Sequence, residues 1–136
     1  MADRPMTIFQ VAGRAMTAQL VRMNTTASNL ANVGVVASSE EAAYKTMKPV
    51  FRTEMDKATG LQSVNVESIV RAGNKPIKRY DPANPLADKD GNVFEAAVDE
   101  TRELVDMLES ARTYQNNVEV MQTAKSLIID TLKLGR

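Results

Sequence analysis

Asp88, Asp90 and Asn92 place three oxygen-bearing side chains within one short stretch, Asp88-Lys89-Asp90-Gly91-Asn92, and so invite a calcium-loop reading. An EF-hand loop needs glycine at its sixth position and glutamate at its twelfth. Here Gly91 is fourth and Asp99 is twelfth, so the spacing predicts a turn and no metal site. Glu40-Glu41 and Asp99-Glu100 are adjacent carboxylates, but neighbours in sequence do not face one another on a helix, and both pairs read as solvated caps or loops. The glycines at 13, 34, 60, 73, 91 and 135 match neither a phosphate loop nor a dinucleotide fingerprint. Asn24-Thr25-Thr26 has the form of a glycosylation sequon, yet it falls inside a predicted helix and carries no weight. The chain has no Cys, His or Trp, which removes thiolate and imidazole chemistry and the usual zinc and haem ligands. Acid–base catalysis near neutrality would then require a strongly shifted carboxylate or lysine. The expectation is no enzyme and no catalytic, cofactor-binding or metal site.

What the sequence does contain is long helices. The 136 residues are 43% hydrophobic and 25% charged, a globular composition of about one domain. Thr7 and Gln10 form a T-x-x-Q capping box, with Met6 and Val11 at the staple positions, so a helix is predicted from Thr7 to about Asn32. Along it Phe9, Met16, Met23 and Leu30 alternate with Gly13, Leu20 and Ala27 in a heptad seam. A second seam runs through Leu104, Met107, Ala111, Tyr114, Val118, Met121, Ile128 and Leu132, broken only by Lys125. Asp99, Glu100 and Glu103 load the start of that helix, and Lys133 and Arg136 flank Gly135 at its end, as the helix dipole favours. Val120, Ala124, Leu127 and Leu134 give it a further apolar stripe that needs a partner. The methionines at seam spacing read as core or interface filler.

Residues 35–97 lack helical periodicity. Tyr44–Glu54 and Leu61–Arg71 read as strands joined through Lys57-Ala58-Thr59-Gly60, and the Pro/Asp/Asn/Gly cluster from Asp81 to Asn92 predicts successive turns that forbid a central strand. The fold class is therefore mainly α: long N- and C-terminal helices pairing as a coiled-coil-like hairpin, with a small strand- and turn-rich insert. The expected divisions are 1–34, 35–97 and 98–136, the first and last forming one discontinuous helical domain. Two long helices with unused apolar stripes imply assembly. Residues 42–80 carry eight basic and three acidic side chains, and residues 81–110 two basic and nine acidic, so a basic insert of one copy meeting an acidic helix start of another is one possibility beside two solvated faces. Nucleic acid is not an expected partner, because the acidic stretch follows the basic one at once. No signal peptide and no run of 18 apolar residues is visible, which by the residues alone predicts a soluble chain that stays in the cytoplasm.

Asn24-Thr25-Thr26-Ala27-Ser28-Asn29-Leu30-Ala31-Asn32, after an amphipathic helix, resembles the N-terminal motif of the bacterial flagellar rod and hook proteins. Arg112-Thr113-Tyr114-Gln115-Asn116-Asn117-Val118-Glu119-Val120-Met121-Gln122-Thr123-Ala124-Lys125, Thr131–Gly135, and the central Asp81-Pro82, Pro85, Ala87-Asp88 and Gly91 resemble the proximal-rod branch of that family. Asn84, Asn92 and Asn116 stand where the resemblance leads one to expect His, an aromatic residue and Ala.

The resemblance implies a structural subunit of the periplasmic drive shaft, exported by the flagellar type III apparatus without N-terminal cleavage. Its terminal helices would line the tube around the export channel and transmit torque without turnover or cofactor. Implied partners are copies of itself, other rod proteins, proteins at the junction of inner-membrane ring and rod, and the export apparatus, with no nucleic acid and no small-molecule substrate. The implied assembly interface is Phe9, Met16, Leu20, Met23, Ala27 and Leu30 with Leu104, Met107, Ala111, Tyr114, Val118, Met121, Ile128 and Leu132. The alternative, from the residues without the resemblance, is a cytoplasmic helical-hairpin adaptor that grips a partner helix.

Overall fold

Thr7 starts the first helix as its capping box requires: its hydroxyl accepts the Gln10 N–H at 3.3 Å, and the Gln10 side chain accepts the Thr7 N–H at 2.9 Å. In the computed structural model, which describes residues 5–71 and 73–135, this helix α1 runs Ile8–Ala31 and is capped by Asn32, after which Gly34 turns the chain at φ +73°. The last helix, Glu100–Leu134, begins when Asp99 accepts the Arg102 N–H at 3.1 Å; Glu100 and Glu103 sit in its first turn and Lys133 in its last. Arg136 lies outside the described residues. At 35 residues this helix is about 52 Å long, against about 36 Å for α1.

The insert holds five strands: β1 (Val36–Ala37), β2 (Met47–Met55), β3 (Gln62–Arg71), β4 (Ile77–Tyr80) and β5 (Asn92–Glu95); the closing helix is α2. β2 and β3 form the expected antiparallel hairpin, but pairing begins at Met47 opposite Arg71, later than the predicted Tyr44, because Tyr44 turns toward α1 instead. Val50 faces Ser68 and Phe51 faces Val66, which leaves Glu67 as a bulged residue, and its carboxylate pairs with Arg52. Pro49 in β2 and the bulge in β3 blunt two open strand edges against further pairing.

The second sheet, in order β1-β5-β4, was not legible from alternation: its strands are two to four residues long, and Val36 pairs across the chain with Glu95. Between β4 and β5 the predicted turns run from Asp81 to Gly91. The Asp88 carboxylate accepts the N–H groups of Asn92 (2.8 Å) and Asp90 (2.9 Å). These bonds, the Asn92 bond foremost, together with the charge of Lys78 hold its pKa below the ordinary value against an opposing desolvation effect. Asn84 and Asn92 serve this loop too, Asn84 Oδ1 accepting the Leu86 N–H at 3.0 Å.

α1 and α2 pack antiparallel, Asn29 lying against Glu103 and Ile8 against Val120–Leu127, while the β2–β3 hairpin lies along another side of α1. Among the helices and strands of the described residues, α2 packs on α1 alone. The apolar core is slight: only Ala12, Ala18, Ala43, Val93 and Ala96 are buried among the described residues, and no Leu, Ile, Met or Phe. The accessible surface is 9634 Å², whereas a compact monomer of 14.9 kDa would expose about 7,000 Å². An excess of that order equals or exceeds what a standard protein–protein interface buries in total.

Gly91 holds the tightest backbone position. Its φ is +79°, and a Cβ there would meet Tyr80 Cε2 at 2.9 Å and Pro82 Cβ at 3.1 Å. Gly91→Ala is expected to destabilise the insert by roughly 1–3 kcal/mol, read from urea unfolding. Gly60→Ala, with a similar φ of +70° and open space, should cost only the conformational part.

Candidate assembly surfaces

Asn29, 2% exposed, is where α1, α2 and the insert meet. Its amide nitrogen donates to Met47 O at 2.9 Å and to Glu103 Oε2 at 3.0 Å. Its oxygen accepts the Met47 N–H and the Tyr44 hydroxyl, each at 2.8 Å. Both amide hydrogens and both lone pairs are used, which is what a buried Asn needs. By taking both backbone groups of Met47, the side chain does the work of a partner strand where β2 begins. Burial raises the Tyr44 pKa, with the charge of Arg71 opposing and that of Glu103 reinforcing, so the hydroxyl remains a neutral donor. Further along α1, Arg14 Nη1 donates to the buried Ser63 hydroxyl at 2.9 Å and the Arg22 guanidinium lies 5.7 Å from the Phe51 ring centre, fixing the hairpin.

The line of closest packing differs from the line of heptad residues. The buried helical positions are Ala12, Ala18, Thr25, Thr26 and Asn29 in α1 and Glu103 and Ser110 in α2. Most are small residues. Thr25 and Ser110 satisfy their hydroxyls on the carbonyls of Arg22 (2.9 Å) and Asp106 (2.7 Å) in their own helices. Of the predicted seam, Phe9, Met16, Met23, Leu30, Met107, Ala111, Tyr114, Val118 and Met121 are half-buried, and Leu20, Ala27, Leu104, Ile128 and Leu132 are exposed.

Two apolar patches on α2 stay open. One is Leu104, Val105 and Leu108, the last 71% exposed. The other is at the far end, where every residue from Lys125 to Gly135 is exposed, Leu127, Ile128 and Leu132 among them. There α2 runs past the start of α1 by roughly three turns. Charges in the insert are partly matched within the chain, through Arg14–Glu54 (3.6 Å), Arg52–Glu67 and Arg79–Glu95 (2.7 Å). Lys48 of the basic stretch borders the same cleft as Asp99 and Asp106 of the acidic helix start, so the two stretches adjoin within one chain. Among the described residues, no group of three or more His, Cys, Asp or Glu side chains is arranged to hold a metal, and no helix is long and apolar enough to cross a membrane.

Comparison with known proteins gives this surface its setting. Residues 9–36 match the family of flagella basal body rod proteins, and residues 90–134 match the C-terminal family described for the flagellar basal body rod proteins FlgE, FlgF and FlgG. The flagellar basal-body rod protein FlgC of Salmonella typhimurium is 37% identical over 129 residues, 95% of this chain and 96% of that protein. That of Escherichia coli O157:H7 is 38% identical over the same shares, and that of Agrobacterium fabrum 29% over 92% of this chain and 91% of its own length. The chain belongs to the FlgC family.

Membership makes it a structural subunit of the flagellar basal-body rod and not an enzyme, and it sets aside the cytoplasmic adaptor. The two matched segments of this FlgC-family chain are α1 with its turn and β5 with α2, so the hydrogen bond from Asn29 to Glu103 joins one to the other. Asn29, Glu103, Tyr44 and Ser110 are the residues a heptad reading passes over, since it scores apolarity. The available signal was Asn29 itself, an amide inside the last turns of a strongly predicted helix.

Asn29→Ala should lower stability by roughly 2–3 kcal/mol, because it strands the Met47 backbone groups and Glu103. Leu20→Asp, at a side chain 43% exposed in the monomer, should cost under about 1 kcal/mol in the same urea titration. Amide exchange supplies a second check: in a dilute monomer, residues 125–135 should exchange far faster than residues 12–29.

Proposed function

We propose that this chain is a subunit of the periplasmic proximal rod, in which segments 1–34 and 98–136 act as one discontinuous helical domain. Its apolar seams are completed, in coiled-coil-like fashion, by helices of neighbouring subunits around a central channel. The insert, 35–97, lies outside that tube. Neighbours are copies of itself and other rod proteins, with proteins of the inner-membrane-ring junction at the base, and the export apparatus delivers the chain without N-terminal cleavage. Torque then passes through many static contacts.

The observation that carries this reading is the uncovered apolar end of α2, in a chain that among its described residues buries no large aliphatic side chain apart from Val93. Covering each leucine-class side chain is worth about 1.5–3 kcal/mol, so several such positions per subunit supply ample association energy. The half-buried seam residues supply the rest of the contact, their open sides facing outward.

Leu20→Asp and Val118→Asp test it. Each places an unpaired charge in a packed seam, costing several kcal/mol once buried. The purified monomers should remain folded, Leu20→Asp most clearly, while cells carrying either variant lose motility and isolated basal bodies lack the chain. Normal swimming with the variant in the rod would overturn the seam assignment. Mass spectrometry of wild-type basal bodies should find the chain with its N-terminal region intact.

A further inference from the structure

Met6, just ahead of α1, and Asp56, where β2 gives way to its turn, are 50 residues apart in sequence yet share a hydrogen bond of 2.7 Å. The Asp56 carboxylate accepts three groups. Oδ2 takes the Met6 N–H and the Thr59 hydroxyl (2.9 Å), and Oδ1 takes the Ala58 N–H (2.9 Å). The backbone closes the same turn, Gly60 N–H donating to Asp56 O at 2.7 Å and Asp56 N–H to Leu61 O at 2.8 Å. One carboxylate therefore belongs both to the hairpin turn and to the segment that leads into α1. The Met6 bond is the only hydrogen bond among the described residues that ties this segment, ahead of the capping box, to the insert.

We propose that Asp56 is a positioning latch: it fixes the direction of the chain entering α1 by the state of the β2–β3 turn, so that turn and segment open together. The arrangement is specific to an ionised carboxylate. Two oxygens with open lone pairs can serve three donors converging from the turn and the segment, whereas an amide would offer one oxygen and turn a donor on one side. The charged groups around the latch are Arg14, Glu54 and Lys57, which border the same shallow cleft, with Arg14 and Glu54 paired at 3.6 Å. The Met6 N–H foremost, then the Ala58 N–H and the Thr59 hydroxyl, hold the Asp56 pKa below its ordinary value against a smaller desolvation effect. A lowered carboxyl pKa stabilises the closed form above the ordinary value of 3.8 and loses that contribution as the pH falls through the folded value. The carboxyl is thus ionised, and able to accept from all three donors, throughout the neutral range.

Amide exchange of the full-length chain, with NMR titration of the Asp56 carboxyl, decides the matter using two variants. Asp56→Asn has one oxygen for donors on two sides and must set an amide against one of them, so with turn and segment opening together both Met6 and Ala58 exchange should quicken, by about tenfold at the N–H left without an acceptor. Met6→Pro leaves Asp56 intact but removes the donor, so the Asp56 pKa should rise toward 3.8 and Ala58 exchange should quicken about threefold or more. Met6 exchanging at the free-peptide rate in the wild-type chain would overturn the latch, as would unchanged Met6 exchange in Asp56→Asn. Unchanged Ala58 exchange in Met6→Pro would show that turn and segment open separately, and would overturn the coupling.

Discussion

The four hydrogen bonds of Asn29 are the constraint on which the arrangement of this subunit depends. They fix three things at once: where β2 begins, through both backbone groups of Met47; how far α2 is rotated on α1, through Glu103; and where the loop before β2 runs, through Tyr44. A buried amide is costly unless satisfied, and here satisfaction is possible only if all three elements are in place. Apolar contact between α1 and α2 tolerates sliding by a turn, whereas this node does not.

The polar node matters more because apolar packing is so thin. The buried helical residues Ala12, Ala18 and Ser110 bury little area each, and the large side chains of both helices are half-buried or exposed. A chain whose surface exceeds that of a compact globule by about 2,600 Å² has kept its hydrophobic material for contacts with other molecules. Its family supplies the setting: the chain is a structural subunit of the flagellar basal-body rod. The overhang of α2 past α1 follows from unequal helix lengths, 35 residues against 24, a difference already visible in the spacing of caps along the sequence.

The legible parts of the fold were those set by local chemistry. Thr7 and Gln10 fixed one helix start, Asp99 with Glu100 and Glu103 the other, and the hairpin followed from two β-rich stretches around Gly60. The sheet β1-β5-β4 was not legible, since two- and four-residue strands show no period and the pairing of Val36 with Glu95 is decided by tertiary closure. The heptad reading placed apolar positions correctly on two long helices but could not say which partner covers them. Apolar spacing records all the surface that wants covering, within the chain or beyond it. The buried residues of the two helices, Ala12, Ala18, Thr25, Thr26, Asn29, Glu103 and Ser110, lie off that seam, and most are polar, which an apolar spacing does not score.

A division of labour explains that pattern. If the same Leu and Met residues had to hold α1 to α2 and also bind neighbours, any repacking at an interface would disturb the subunit itself, because packed interiors transmit strain. Setting the internal register by hydrogen bonds lessens that coupling: half-buried Met and Leu residues border the helix pair, but Asn29, Glu103 and Tyr44 hold the helices and insert in register independently of them. Directional polar contacts specify one arrangement but add little net stability, since they replace bonds to water. Apolar stripes add stability but specify little. In this chain the register is therefore set by a buried polar node, while large apolar side chains such as Leu108, Leu127 and Leu132 remain open on α2.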